Sequence, residues 1–130
     1  MSFQFIKALP SPEQMKALVP VPESVRKAKE ERDAMIRKVF TGESDKFLVI
    51  IGPCSADNED AVLDYVTRLA GVQEKVQDKL ILVPRIYTNK PRTTGMGYKG
   101  IVHQPDPEGK PDLEAGLIAM RKMHIHAIEA

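Results

Sequence analysis

Five apolar residues in a row, Phe47-Leu48-Val49-Ile50-Ile51, are closed at once by Gly52-Pro53, and three of the five are β-branched. A run this short and this continuous marks a strand buried on both faces, as parallel sheets require. A second apolar run extends from Leu80 to Tyr87 and reads as the next strand. Between the two, Asp57 or Asn58 can cap a helix in which Val62, Tyr65, Val66, Leu69 and Ala70 form one stripe, with its end expected near Val72. After the second strand, Thr88 to Pro111 holds four prolines and four glycines without periodicity and reads as a loop. Asp112 then caps a helix with Leu113, Leu117, Met120, His124, Ala127 and Ile128 at helical spacing.

Right-handed crossovers turn this order of strands and helices into a parallel sheet with helices on its faces. Two strands do not make a stable sheet of that kind, and a closed (β/α)8 barrel takes about 250 residues. The expected α/β fold is therefore the N-terminal part of a (β/α)8 TIM barrel, a fragment that stops just after the helix following its second strand. Upstream, Pro10, Pro12, Pro20 and Pro22 each remove a backbone donor and disfavour helix at the preceding residue, so 8–23 is expected to be an extended arm. Ser24 is the expected N-cap of an amphipathic helix over 24–40, with Val25, Ala28, Met35, Ile36, Val39 and Phe40 on one stripe and Gly42 as the stop. Arm and helix make up 1–46, and the first βα units make up 47–130.

Nineteen basic and eighteen acidic residues leave a net charge of +1, which excludes the broad basic field of a nonspecific nucleic-acid binder. Any anion site must be local. The opening residues Met1 to Lys7 lack the basic and apolar regions of a secretory signal, and no run is long enough to span a bilayer. The single cysteine excludes an intramolecular disulfide framework, so a cytoplasmic protein without membrane partners is expected.

A local site is visible in the charge order. Arg85, Lys90, Arg92 and Lys99 fall between Lys79 and Lys110, where no acid occurs before Asp106. Alternation along the second strand puts Arg85 and Tyr87 on one face, and Lys90-Pro91-Arg92-Thr93-Thr94 emerges beyond the strand's C-terminal end, where ligands bind in open sheets and barrels. Guanidinium forks, an ammonium and two hydroxyls suit a phosphate or a carboxylate. The plain alternative is a solvated basic loop. Arg85 argues against it, because an arginine inside an apolar strand is costly without an anion partner.

Cys54 also follows a strand, so both features are expected on one rim. Its thiol could be a metal ligand or a nucleophile, although a lone cysteine without spaced partners reads more readily as a small buried hydrophobe. His124 and His126, two apart on a helix, point to different sides; packing is expected for the first and surface for the second. His103 reads as a solvated loop residue.

Gly52-Pro53-Cys54-Ser55 and Arg85-Ile86-Tyr87-Thr88-Asn89-Lys90-Pro91-Arg92-Thr93-Thr94, followed by Tyr98-Lys99-Gly100, together closely resemble the first part of type I 3-deoxy-D-arabino-heptulosonate 7-phosphate (DAHP) synthases. The resemblance implies a (β/α)8 barrel that joins phosphoenolpyruvate to erythrose 4-phosphate with loss of phosphate, the first step of the shikimate pathway and of aromatic amino-acid biosynthesis. It implies a divalent metal, manganese, iron, cobalt or zinc, with Cys54 as one ligand. It implies Arg85 and Lys90 as catalytic residues that hold phosphoenolpyruvate, and Lys90, Pro91, Arg92, Thr93 and Thr94 as the lining of the erythrose 4-phosphate site. The family's other metal ligands, a histidine, a glutamate and an aspartate, lie in segments this chain does not contain, so the chain alone is expected to be inactive and to self-associate as a homo-oligomer.

The chain also departs from the family. Ser55-Ala56-Asp57-Asn58 stands where many relatives have Ser-Ile-His-Asp, Gly95-Met96-Gly97 is one residue longer than the common form, and Tyr98 replaces a tryptophan. A different reading is a free-standing phosphate-binding or regulatory module whose loop from Lys90 to Lys99 holds an anion without chemistry.

Overall fold

Ser11 opens the first helix of the computed structural model, which describes residues 5–90 and 92–130. Its hydroxyl accepts from Gln14 N while the Gln14 side chain accepts from Ser11 N, a reciprocal capping box that starts α1 (Pro12–Leu18). The expected extended arm is thus partly helical. Proline at the first helical position costs nothing because its missing N–H would be unpaired there in any case, and Ser11-x-x-Gln14 is the signal the proline count obscured. Pro20 and Pro22 then end α1 and lead into α2 (Glu23–Phe40). Pro22, not Ser24, occupies its N-cap, without a side-chain cap.

Two strands, β1 (Phe47–Ile51) and β2 (Leu80–Pro84), pair in parallel with Phe47 opposite Leu80 and Ile51 opposite Pro84. They are joined by α3 (Glu59–Val76), whose N-cap Asn58 accepts from Ala61 N at 2.9 Å. α3 runs one turn past its expected end, because Gly71 meets no breaker and Gln73, Glu74 and Lys75 are good helix formers. β2 stops at Pro84 rather than Tyr87, since β1 turns away at Gly52-Pro53 and leaves nothing to pair with after the bond from Arg85 N to Ile51 O. Among the described residues from 88 to 112 the backbone forms turns and irregular chain, and α4 (Leu113–Glu129) begins where Asp112 accepts from Ala115 N.

β1 is not buried on both faces: Phe47 is 71% and Ile50 65% exposed. The sheet has two strands, and α3 packs mainly on β2, so both faces of β1 are left partly uncovered. The α2 stripe is likewise thin, with Val25 buried but Met35 and Phe40 exposed. The surface of 9493 Å² exceeds the roughly 6,900 Å² expected of a compact monomer of this mass, as uncovered apolar faces require.

The core forms where α4 meets both halves of the chain. Met123 and Ala127 pack with Ala56, Val62, Val66 and Ile101, while Ile125 packs with Val19 and Val25. Of the expected stripe Ala127 is buried, but Leu113 and His124 are exposed, and Gly116, Met123 and Ile125 are buried off that stripe. A helix gripped by two clusters shows no single 3.6-residue stripe. His124 is therefore a surface residue, its Nδ1 donating to Met120 O; His126 is exposed and sits 2.6 Å from Glu59.

The edge of β2 turned away from β1 is covered by one side chain. Gln73 Nε2 donates to Leu80 O at 3.0 Å and Leu82 N donates to Gln73 Oε1 at 2.6 Å, so the amide stands in for the peptide of a further strand. Beside it runs an open groove of about 580 Å³ between α2, α3, β2 and α4, lined by Ile36, Leu69, Leu82 and Ile128 among others. Neither Cys54 nor any of the loop cations lines that groove.

Candidate functional site

The C-terminal ends of the parallel strands are joined by backbone first. Arg85 N donates to Ile51 O at 2.9 Å, and Ala56 N donates to Tyr87 O at 2.7 Å, so the Gly52–Ala56 turn is held against the segment leaving β2 at both ends. The approach is close: a Cβ on Gly52 would lie 2.0 Å from the Arg85 carbonyl oxygen, which no side chain tolerates. Ala56, which closes the cysteine turn, is 0% exposed and belongs to the core.

Arg85 then adds a side-chain tie. Its Nη1 donates to Pro53 O at 2.8 Å, one residue before Cys54, and its guanidinium carbon lies 4.7 Å from the centroid of the Tyr87 ring. Arg85 is not a buried charge inside the strand: it lies just past β2, exposed, with one N–H of its fork donated to a carbonyl and its plane against a ring. Cys54 is likewise an exposed free thiol, which removes the buried-hydrophobe reading.

The loop beyond β2 is closed on itself. Lys90 N donates to Lys99 O at 2.8 Å, and Arg92 Nε donates to Tyr98 O at 3.0 Å, making a ring with Thr93 and Thr94 exposed at its tip. Gly95 and Gly97, at positive φ of 71° and 84°, turn the tip. At the neck, a Cβ on Gly100 would lie 2.4 Å from Thr88 O. Lys90 is half-buried, Arg92 and His103 are exposed, and Pro91 lies outside the described residues.

Among the described residues, no carboxylate pairs with Arg85, Lys90, Arg92 or Lys99, although carboxylates pair with cations elsewhere on the surface, as Glu23 does with Arg26. The structure joins Arg85 to the Cys54 turn, and joins Lys90 and Arg92 to Lys99 and Tyr98. No hydrogen bond among the described residues links the two groups. Two hydroxyls in this region, Ser55 Oγ and Tyr98 Oη, are buried without a partner. Burial, and then the nearby Asp57 carboxylate, push the Tyr98 phenol above its ordinary value and keep it protonated.

A metal needs several convergent donors, and this segment offers one thiol: no group of three or more His, Cys, Asp or Glu stands close enough among the described residues. Cys54 alone can be a single ligand at most. Tyr87 and the Pro53 carbonyl were missed as site residues by the sequence. The shared face of Arg85 and Tyr87 pointed to the first, and nothing pointed to the second.

The family model described as the DAHP synthetase I family matches residues 19–126. The Tyr-sensitive phospho-2-dehydro-3-deoxyheptonate aldolase of Escherichia coli is 36% identical over 124 residues, covering 94% of this chain and 34% of its own length. The phospho-2-dehydro-3-deoxyheptonate aldolase of Amycolatopsis methanolica is 34% identical over 118 residues, covering 91% of this chain and 58% of its own. A solved structure of the aldolase of that name from Francisella tularensis superposes with a TM-score of 0.88 over 98% of this chain and 37% of that one, at 24% identity, which speaks to the fold. The chain spans about a third of the length of the first curated relatives it matches.

Proposed function

Because this chain belongs to the DAHP synthetase I family, we propose that it forms the first units of a (β/α)8 barrel that condenses phosphoenolpyruvate with erythrose 4-phosphate, releasing phosphate and forming DAHP. The observation that carries this reading is the bond from Arg85 Nη1 to Pro53 O, which brings a guanidinium and the Cys54 turn to one rim. Arg85 and Lys90 take the carboxylate and phosphate of phosphoenolpyruvate as charge-assisted acceptors. Lys90 with Pro91, Arg92, Thr93 and Thr94 receives the phosphate of the sugar, and the absence of carboxylate partners among the described residues leaves these cations free for it.

Cys54 supplies one ligand of a divalent metal whose other donors come from outside this chain. Manganese, iron, cobalt and zinc all suit a thiolate. Such a metal, when bound, polarises the aldehyde carbonyl. The chain's own residues orient the two anions so that C3 of phosphoenolpyruvate faces that carbonyl, and the cations stabilise the oxyanion as the carbon–carbon bond forms. Water then adds at C2 and phosphate leaves.

The single unpaired cysteine supports a reducing, cytoplasmic setting. No helix among the described residues is long and apolar enough to cross a membrane. A net charge of +1 argues against nucleic acid, and the exposed Phe40, Phe47 and Ile50 argue for a homo-oligomer or a covering segment.

The test uses the protein that carries this chain together with the remaining barrel units, assayed for phosphate release from the two substrates. Cys54→Ala is expected to abolish metal-dependent turnover with the fold intact, and full metal-dependent activity would refute the ligand role. Arg92→Ala is expected to raise KM for the sugar phosphate more than for phosphoenolpyruvate, and equal rises would undo that assignment.

A further inference from the structure

We infer that Tyr87 is a positioning residue: its ring face fixes the guanidinium of Arg85 and, through it, the turn that carries Cys54. The role rests on the proposed anion site at this rim. Arg85 is exposed and has no carboxylate partner among the described residues. A guanidinium on a flexible stem in that setting would spread over many rotamers, and ordering it on ligand binding would weaken affinity.

Two contacts order it beforehand. The bond to Pro53 O holds one edge of the fork, and the Tyr87 ring at 4.7 Å holds its plane. One N–H of five is engaged by the carbonyl, so the rest of the fork stays open to an oxyanion. Tyr87 is itself anchored. Its carbonyl accepts from Ala56 N at 2.7 Å, and Ala56 is wholly buried in the main core cluster. The order of support therefore runs from the core through Ala56 and Tyr87 to Arg85, and from Arg85 to Pro53 and the thiol. What the guanidinium needs from Tyr87 is an aromatic face, not the phenol oxygen.

Phosphoenolpyruvate is titrated calorimetrically into the protein that carries this chain together with the remaining barrel units, as wild type and as Tyr87→Leu and Tyr87→Phe. Loss of the ring face is expected to weaken binding by about two- to fivefold in Tyr87→Leu, with wild-type affinity restored in Tyr87→Phe. A second readout is the Arg85 Nε–H resonance, assigned with Arg85→Lys. It should carry a ring-current shift in the wild type and in Tyr87→Phe and lose it in Tyr87→Leu. Equal affinity of Tyr87→Leu and wild type, or failure of Tyr87→Phe to restore it, overturns the positioning role, as does an Arg85 resonance unmoved by Tyr87→Leu. A complete wild-type protein that shows the ring-current shift but binds no phosphoenolpyruvate overturns the anion site itself and with it the purpose assigned to Tyr87.

Discussion

Replacing Gln73 by alanine removes the only side chain among the described residues that hydrogen-bonds the outer edge of β2. Odd-numbered residues of that strand face β1, as the bonds from Phe47 N to Lys79 O and from Arg85 N to Ile51 O establish, so Leu80 O and Leu82 N point away from it. Gln73 satisfies both, at 3.0 and 2.6 Å. Each bond contributes about 1 kcal/mol net, and the two groups are partly buried, so Gln73→Ala should cost about 2 kcal/mol. With an unfolding entropy of about 2.1 cal/mol/K per residue, that corresponds to a fall in Tm of roughly 7 °C for a chain of this length. The exposed edge should also pair with other chains. Urea denaturation at two protein concentrations and sedimentation velocity measure both effects. Gln73→Glu keeps the acceptor for Leu82 N but turns a carboxylate toward Leu80 O, so it should recover at most half of the loss. A Gln73→Ala chain with unchanged urea midpoint and unchanged mass distribution would refute the edge argument.

Gly116→Ala should destabilise by about 3 kcal/mol or more, because its Cβ would lie 1.9 Å from Val102 O and α4 would have to lift off the loop backbone; thermal melts followed by circular dichroism test this. Asn58→Ala should cost about 1 kcal/mol through the lost cap on Ala61 N, read from the urea midpoint, with Asn58→Asp retaining most of it. Tyr98 holds its proton more tightly folded than unfolded, so its contribution is complete below its ordinary value near 10 and is lost as pH rises through the folded-state value. Tyr98→Phe should flatten that alkaline loss, and at pH 7 should stabilise by about 1 kcal/mol by removing an unpartnered buried hydroxyl. Urea midpoints at pH 7 and at alkaline pH check both, and a lower midpoint at pH 7 would indicate a partner for the hydroxyl.

Local chemistry was legible without coordinates. The two apolar runs, a cap at Asp57 or Asn58 and another at Asp112, the turn-rich stretch after Thr88 and the concentration of cations from Arg85 to Lys99 depend on residues within a few positions of one another. Such features follow from backbone sterics and short-range hydrogen bonding. The family resemblance was legible for the same reason, since its motifs are contiguous.

What depended on distant partners was not. Whether β1 is buried, which face of α4 enters the core and where β2 stops were decided by how many layers the chain brings together. Here α4 places Met123 and Ala127 in one cluster and Ile125 in another, and both faces of β1 stay partly uncovered. The state of Arg85 was decided in the same way. Composition along β2 made it a buried charge, but the turn at Gly52-Pro53 ends the pairing one residue earlier and gives one N–H of its fork to a carbonyl and its plane to a ring, contributed by two different loops. A sequence specifies which groups seek burial or a partner; which partner each one finds is settled by the packing of segments that lie far apart along the chain.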